Sequence, residues 1–222
     1  GSEELLFCTW LDLRNGQTQV YGARSKDLGK TWKNNVHIYT SPSGTVCECC
    51  HPSVVIDQRG AVHVMWRNLI DDNRDMYVST SEDDGQSFSS AEKLGLDSWK
   101  LNACPMDGGD IATNSNDDLL TVWRQDRSVY SAGVGLKREN FLGRGEQPSI
   151  VAASEGYFIS WVDRRGGELL LLRPASTNPV TIATSASDPV LAASVTGGGP
   201  VVLVWESKEG DVSSIRSEIV NE

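Results

Sequence analysis

Apolar positions along this chain come in short bursts separated by polar turns. Five of the bursts carry a tryptophan in matching surroundings: LLFCTWLD at Trp10, VHVMWRN at Trp66, LLTVWRQ at Trp123, YFISWVD at Trp161 and VVLVWES at Trp205. Four of them are preceded by a second kind of burst with a shared opening, HPSVVID, CPMDGGDIA, QPSIVAA and DPVLAAS. A third kind follows, QVYGARS, DMYVSTS and SVYSAGV, with LLLLRPA and SSIRSEI as divergent copies. The bursts are short, β-branched or alternating, and bounded by Gly, Asp, Asn and Pro, so they predict strands rather than helices.

The tryptophans are 56, 57, 38 and 44 residues apart. A unit of about four strands repeating at roughly 40 to 57 residues is the pattern of a β-propeller blade. The chain starts at the second strand of one unit and ends near the third strand of a fifth. The expectation is therefore an all-β propeller filling residues 1–222 as one domain, with five units visible and the first and last incomplete. Because a closed ring must cover its sheet edges, the alternatives are a five-bladed ring with thin closing blades or a six-bladed one completed by sequence upstream. Gly1 and Ser2 read as a tag scar, so they say nothing about a natural leader.

Charge narrows the partners. With 30 acidic against 20 basic residues, the formal net charge of −10 opposes phosphate backbones and anionic lipid surfaces, and no Lys/Arg cluster offsets it. Nucleic acid is not expected as a partner. No apolar run approaches the ~18 residues that span a bilayer, so membrane insertion is not expected either.

Two turns carry a motif. Residues 25–32, SKDLGKTW, and 81–88, SEDDGQSF, both fit S-x-D-x-G-x-[ST]-[WF] and both follow a strand of the third kind. Asp27 and Asp83 can accept backbone N–H groups inside the turn, Gly29 and Gly85 supply positive φ, and Trp32 or Phe88 is expected to plug into the blade. The motif resembles the Asp-box, or BNR repeat, of the sialidase-like propellers. That resemblance implies the fold; the box itself is a hairpin staple and does not report activity. In such a propeller the first strand of each blade lines the central channel, and the loops before it, with those between second and third strands, form the mouth where ligands bind.

Three of the five cysteines fall in CECCHP, residues 47–52. Aligning the strand openings on Pro52, Pro105, Pro148 and Pro189 puts His51, Cys104, Gln147 and Asp188 in equivalent positions at that mouth. Cys47, Cys49, Cys50 and Cys104 thus form one constellation. It has three readings: disulfides, with Cys47 or Cys50 bridging to Cys104 and a vicinal Cys49–Cys50 bond as a further option; a copper or zinc site using Cys47, Cys50, His51, Cys104 and Met106; or reduced, inert cysteines. Apart from that metal, no cofactor is expected. Cys8, beside Trp10, is expected to be a buried free thiol.

The loops after the tryptophan strands place Arg14, Arg67, Arg74, Arg124 and Arg164 toward the same face. Sialidases hold a substrate carboxylate with three arginines, because planar bidentate donors match it. With Gln147, Asp188 and His51, these arginines are the candidate ligand-binding residues, and a glycan or an acidic small molecule is the expected partner. A sialidase-type hydrolase needs a tyrosine–glutamate nucleophile and an acid as well. Tyr21, Tyr77 and Tyr130 recur at one repeat position, as packing residues do, and the Arg-Ile-Pro signature of sialidases is not found. Catalytic residues are therefore not assigned, although Glu146 and Asp110 are carboxylates at strand starts. CECC-x-P, W-R-N, R-D-M and W-x-x-x-x-C-P together resemble a group of exported bacterial sialidase-like proteins, which implies a secreted or periplasmic location but not glycosidase activity.

Overall fold

The computed structural model describes residues 5–194 and 198–221, and every regular element in them is a β-strand. Gly1 and Ser2 lie outside this range. No described helix is long and apolar enough to cross a membrane.

The strands form four antiparallel sheets in chain order. The first holds β1 (Leu6–Asp12), β2 (Gln19–Ser25) and β3 (Val36–Tyr39). β4 (Ser53–Ile56), β5 (Val62–Arg67), β6 (Met76–Ser81) and the two-residue β7 (Glu92–Lys93) make the second. The third runs through β8 (Asp110–Thr113), β9 (Leu119–Gln125), β10 (Ser128–Gly133) and β11 (Asn140–Arg144). A six-stranded sheet closes the order with β12 (Glu146–Ala153), β13 (Gly156–Val162), β14 (Gly167–Leu172), β15 (Val180–Ala193), β16 (Val201–Glu209) and β17 (Val212–Ile219). The five tryptophan strands of the sequence pattern are β1, β5, β9, β13 and β16.

The six-stranded sheet is two repeat units joined through one strand. The first half of β15 pairs with β14, from Val180 to Ala186, and the second half with β16, from Ala186 to Ala193. The register slips between Ser187 and Val190. Pro189 falls inside the slip, where a residue without an N–H costs no ladder bond.

Packing follows the repeat. Trp66, Trp123, Trp161 and Trp205 are buried, whereas Trp10 is only half-buried and donates its indole N–H to Asp12 at 2.8 Å. The contacts divide the chain into two compact units: residues through Gly109 together with Ala132–Glu139, and Asp110–Ser131 together with Asn140 onward. The first unit has a core of Leu5, Val20, Ile38, Val46, Val62, Val64 and Trp66. The second has one apolar cluster around Val122, Ile159 and Trp161 and another around Leu169, Leu171 and Leu203.

The turns at 25–32 and 81–88 share one hydrogen-bond pattern. The Asp27 carboxylate accepts the Thr31 amide at 2.8 Å and hydroxyl at 2.6 Å, while the Ser25 hydroxyl accepts the Gly29 amide at 2.9 Å. Asp83, Ser87, Ser81 and Gly85 repeat it. These donors, the Thr31 hydroxyl first, lower Asp27 to about 2. The closing aromatics part company: Phe88 packs against the first unit's core and Phe7, but Trp32 is left 46% exposed.

Candidate functional site

The cysteines gather in the first unit, in the segment that leads into β4. Cys49 and Cys104 are joined in a disulfide with Cα atoms 6.3 Å apart, while Cys47 and Cys50 are free thiols and fully buried. The structure thus pairs Cys104 with neither Cys47 nor Cys50, and Cys49 takes no vicinal bond. The turn explains the choice: the Cys50 amide donates to the Cys47 carbonyl, folding both side chains inward, while half-buried Cys49 is left toward exposed Cys104. The Cys47 and Cys50 sulfurs lie 3.2 Å apart, and Cys49 Sγ sits 3.7 Å from Cys47 and 3.8 Å from Cys50.

Two arginines enclose this turn. Arg67, the last residue of β5, is 1% exposed. It donates to the carbonyls of Asp107 at 3.1 Å and Arg74 at 2.7 Å, and its guanidinium lies 5.3 Å from the Trp99 ring centre. Burial opposes its charge, and the sulfurs of Cys50 and Cys47 with the Asp107 carboxylate favour it. Arg74 donates from Nε to Leu101 O at 3.3 Å and from Nη1 to Cys47 Sγ at 3.2 Å. In the thiolate form of Cys47, the Cys50 S–H and then the Arg74 guanidinium outweigh burial and bring Cys47 down to about 6. The same thiol–thiol hydrogen bond, with burial, pushes Cys50 far above the ordinary thiol range. One sulfur is set up to ionise near neutrality while its neighbour stays protonated.

The copper or zinc set is not assembled. Cys47, Cys49 and Cys50 sulfurs lie within 4.8 Å of one another, but the disulfide takes Cys49 and Cys104 out of the thiolate pool that a soft metal needs. Met106 is 64% exposed. His51, also exposed, lies against Gly108, whose place a Cβ could not share: it would come within 2.5 Å of the His51 carbonyl. Cys8 is exposed rather than buried, its thiol 3.6 Å from the Ala23 carbonyl.

The remaining candidate arginines each pair with a carboxylate beside them. Arg14 forms a fork with Asp12 at 2.5 Å and stacks over Tyr21, Arg124 pairs with Glu146, and Arg164 pairs with Asp163 at 2.6 Å. Tyr77 and Tyr130 stack on Trp66 and Trp123, as repeated packing residues do. Asp110 accepts from the Ser149 hydroxyl and the Ile150 amide, binding β8 to β12.

A second polar cluster lies wholly in the second unit. Gln147, near the start of β12, and Asp188, in the register slip inside β15, both have positive φ, 56° and 49°. The Gln147 side-chain amide donates to the Asp188 carboxylate, and the Asp188 amide donates to Gln147 Oε1 at 3.0 Å. Arg165 approaches Asp188 at 3.6 Å and gives its own amide to Glu146 at 2.7 Å. Beside Asp188 lies a groove of about 420 Å³, lined by the polar Glu206, Ser213 and Ser214 and the apolar Val190, Val204, Trp205 and Ile215. Sequence reasoning singled out Gln147 and Asp188 as candidates through their prolines. It missed the groove, because Val190 and Ile215 read as ordinary strand residues, and it missed Asp107, whose only sequence signal was its place after CPM.

No protein-family model matches the chain, and no curated protein matches it. Solved structures do, at low identity. A protein of unknown function from Dyadobacter fermentans is 16% identical with a TM-score of 0.62, over 99% of this chain and 76% of that one. An α-L-arabinofuranosidase from Fusarium graminearum is 13% identical with a TM-score of 0.64, over 97% and 71% of the two chains. An intramolecular trans-sialidase from Ruminococcus gnavus is 13% identical with a TM-score of 0.58, over 92% and 51%. At such identities the likeness speaks for the fold alone, and the fold is that of a β-propeller.

Proposed function

We propose that this chain is an exported carbohydrate-binding propeller module whose ligand sits at the Gln147–Asp188 cluster and the groove beside it. The observation that carries the reading is the pairing itself. Two non-glycine residues hold left-handed backbone conformations, Gln147 at the start of β12 and Asp188 in the register slip of β15, with their side chains cross-bonded next to a groove that Trp205 helps to line. Such conformations cost about 1–3 kcal/mol each and concentrate at functional positions. Planar amide and carboxylate groups that can share hydroxyl hydrogen bonds, beside apolar and aromatic surface, are what a sugar ring asks for. The named activities of similarly folded proteins, an arabinofuranosidase and a trans-sialidase, support a glycan as the ligand class. The Cys49–Cys104 disulfide supports an exported location, since disulfides persist in oxidising compartments.

Calorimetric titration of the chain with arabinan, xylan and sialyl oligosaccharides tests this. Binding of one of them, weakened about tenfold or more by Asp188→Ala and by Gln147→Ala, is the expected result. Uniform failure to bind, or binding indifferent to both replacements, defeats the reading. Turnover of a fluorogenic sialoside is not expected, because Arg14, Arg124 and Arg164 donate to carboxylates beside them and Arg67 is buried. Turnover lost on replacing Arg124 would move the assignment to a hydrolase.

A further inference from the structure

The cysteine cluster places a disulfide, Cys49–Cys104, in contact with a pair of thiols, Cys47 and Cys50. Each of the roles that thiol–disulfide exchange requires has an occupant here. Cys47 Sγ lies 3.7 Å from Cys49 Sγ and receives a hydrogen bond from the Arg74 guanidinium, which stabilises a thiolate. Cys50 Sγ lies 3.2 Å from Cys47. The two are separated by two residues, a spacing that closes readily into a disulfide. Cys104 is exposed, so it can leave toward water.

We propose that this cluster is an internal thiol–disulfide exchange centre, with Cys47 as the attacking thiol, Cys49–Cys104 as the disulfide it opens and Cys50 as the resolving thiol. In the first step the Cys47 thiolate attacks Cys49 Sγ. The Cys47–Cys49 bond forms, the Cys49–Cys104 bond breaks, and Cys104 departs as a thiolate. In the second step Cys50 loses its proton, through solvent, to Cys104 and attacks Cys47. The Cys47–Cys50 bond forms and the Cys47–Cys49 bond breaks, leaving Cys49 as a thiolate that takes up a proton from solvent, the one Cys47 gave up on ionising. Two thiols and one disulfide enter and leave, so no outside oxidant or reductant is consumed. The exchanged form carries a surface thiol, Cys104, that the resting form lacks. The buried pair thereby controls the appearance of a reactive thiol at the surface, where a thiol or disulfide of another molecule can meet it.

The test uses the full chain with Cys8→Ser, which removes the exposed thiol outside the cluster. The oxidised protein is held in excess N-ethylmaleimide at neutral pH, and non-reduced peptides are followed by mass spectrometry. Exchange predicts that Cys104 and Cys49 acquire maleimide while Cys47 and Cys50 become linked within one peptide. Cys50→Ser should halt at the first step, with Cys47 linked to Cys49 and Cys104 alkylated. Cys47→Ser should leave Cys49–Cys104 intact, and Arg74→Gln should slow alkylation of Cys104 about tenfold and move its rise to higher pH. An intact Cys49–Cys104 bond in the parent protein, with maleimide only on Cys47 or Cys50, overturns the proposal. So does Cys104 alkylation at the same rate in the parent and in Cys47→Ser. If Cys47→Ser does not fold, the Cys47–Cys49 link in Cys50→Ser still decides the matter.

Discussion

Arg67 holds a guanidinium where water cannot reach it, and its donors have been matched to the neighbouring chain rather than to a ligand. Two backbone carbonyls, the Trp99 ring and the sulfur pair surround it. Removing the side chain strands those acceptors in a dry pocket. Arg67→Ala is therefore expected to cost about 3–5 kcal/mol of stability, read as a fall in the urea midpoint; a loss under about 1 kcal/mol would show the pocket to be hydrated. The sequence made Arg67 a ligand-facing residue because it directly follows a tryptophan, where a loop toward the channel mouth was expected. Arg67 instead still belongs to β5, every residue of which is buried. The cysteines show the same gap: their clustering was legible from the aligned prolines, but which sulfur reaches Cys104 depends on a single turn. At Cys47 the sign of the pH effect follows from its depressed thiol. Thiolate chemistry should be half developed near pH 6, rise above it and fade below it, and alkylation rates of the folded protein across neutral and mildly acidic pH would show this midpoint.

At the scale of elements, the tryptophan strands and their followers were readable because each is a short apolar burst closed by turn residues. What the bursts do not encode is how units join. β11 and β12 are separated by Gly145 alone, and its φ of 150° lies where side chains are rare. A Cβ there would sit 2.4 Å from both the Trp161 ring and the Val162 carbonyl. Gly145→Ala is accordingly expected to destabilise by about 1–3 kcal/mol through overpacking, measurable as a lowered thermal midpoint with unchanged far-ultraviolet dichroism. No periodicity could mark this glycine, because its constraint comes from a strand met later in the chain. Trp32 fails in the opposite sense. The local motif is satisfied through Ser25, Asp27 and Thr31, and the final aromatic is free of it.

On the scale of the molecule, one covalent link spans 55 residues, from Cys49 to Cys104. In the chain-entropy account a loop of that length is worth about 4 kcal/mol, whereas the short Cys47–Cys50 loop gains far less. Cys104→Ala should thus lower the thermal midpoint of unfolding by several degrees, an effect that added reductant cannot deepen much further. A midpoint unmoved by the replacement would mean that the loop contributes nothing to stability. The shared strand β15 has a consequence of another kind. Since its halves serve β14 and β16 in turn, one continuous strand carries the ladders of both repeats, and the boundary between repeats is not expected to be a boundary of cooperativity. Amide protons of Leu169 to Leu171 and of Val202 to Val204 should exchange with solvent deuterium through one common opening event, as a single foldon that spans two repeats.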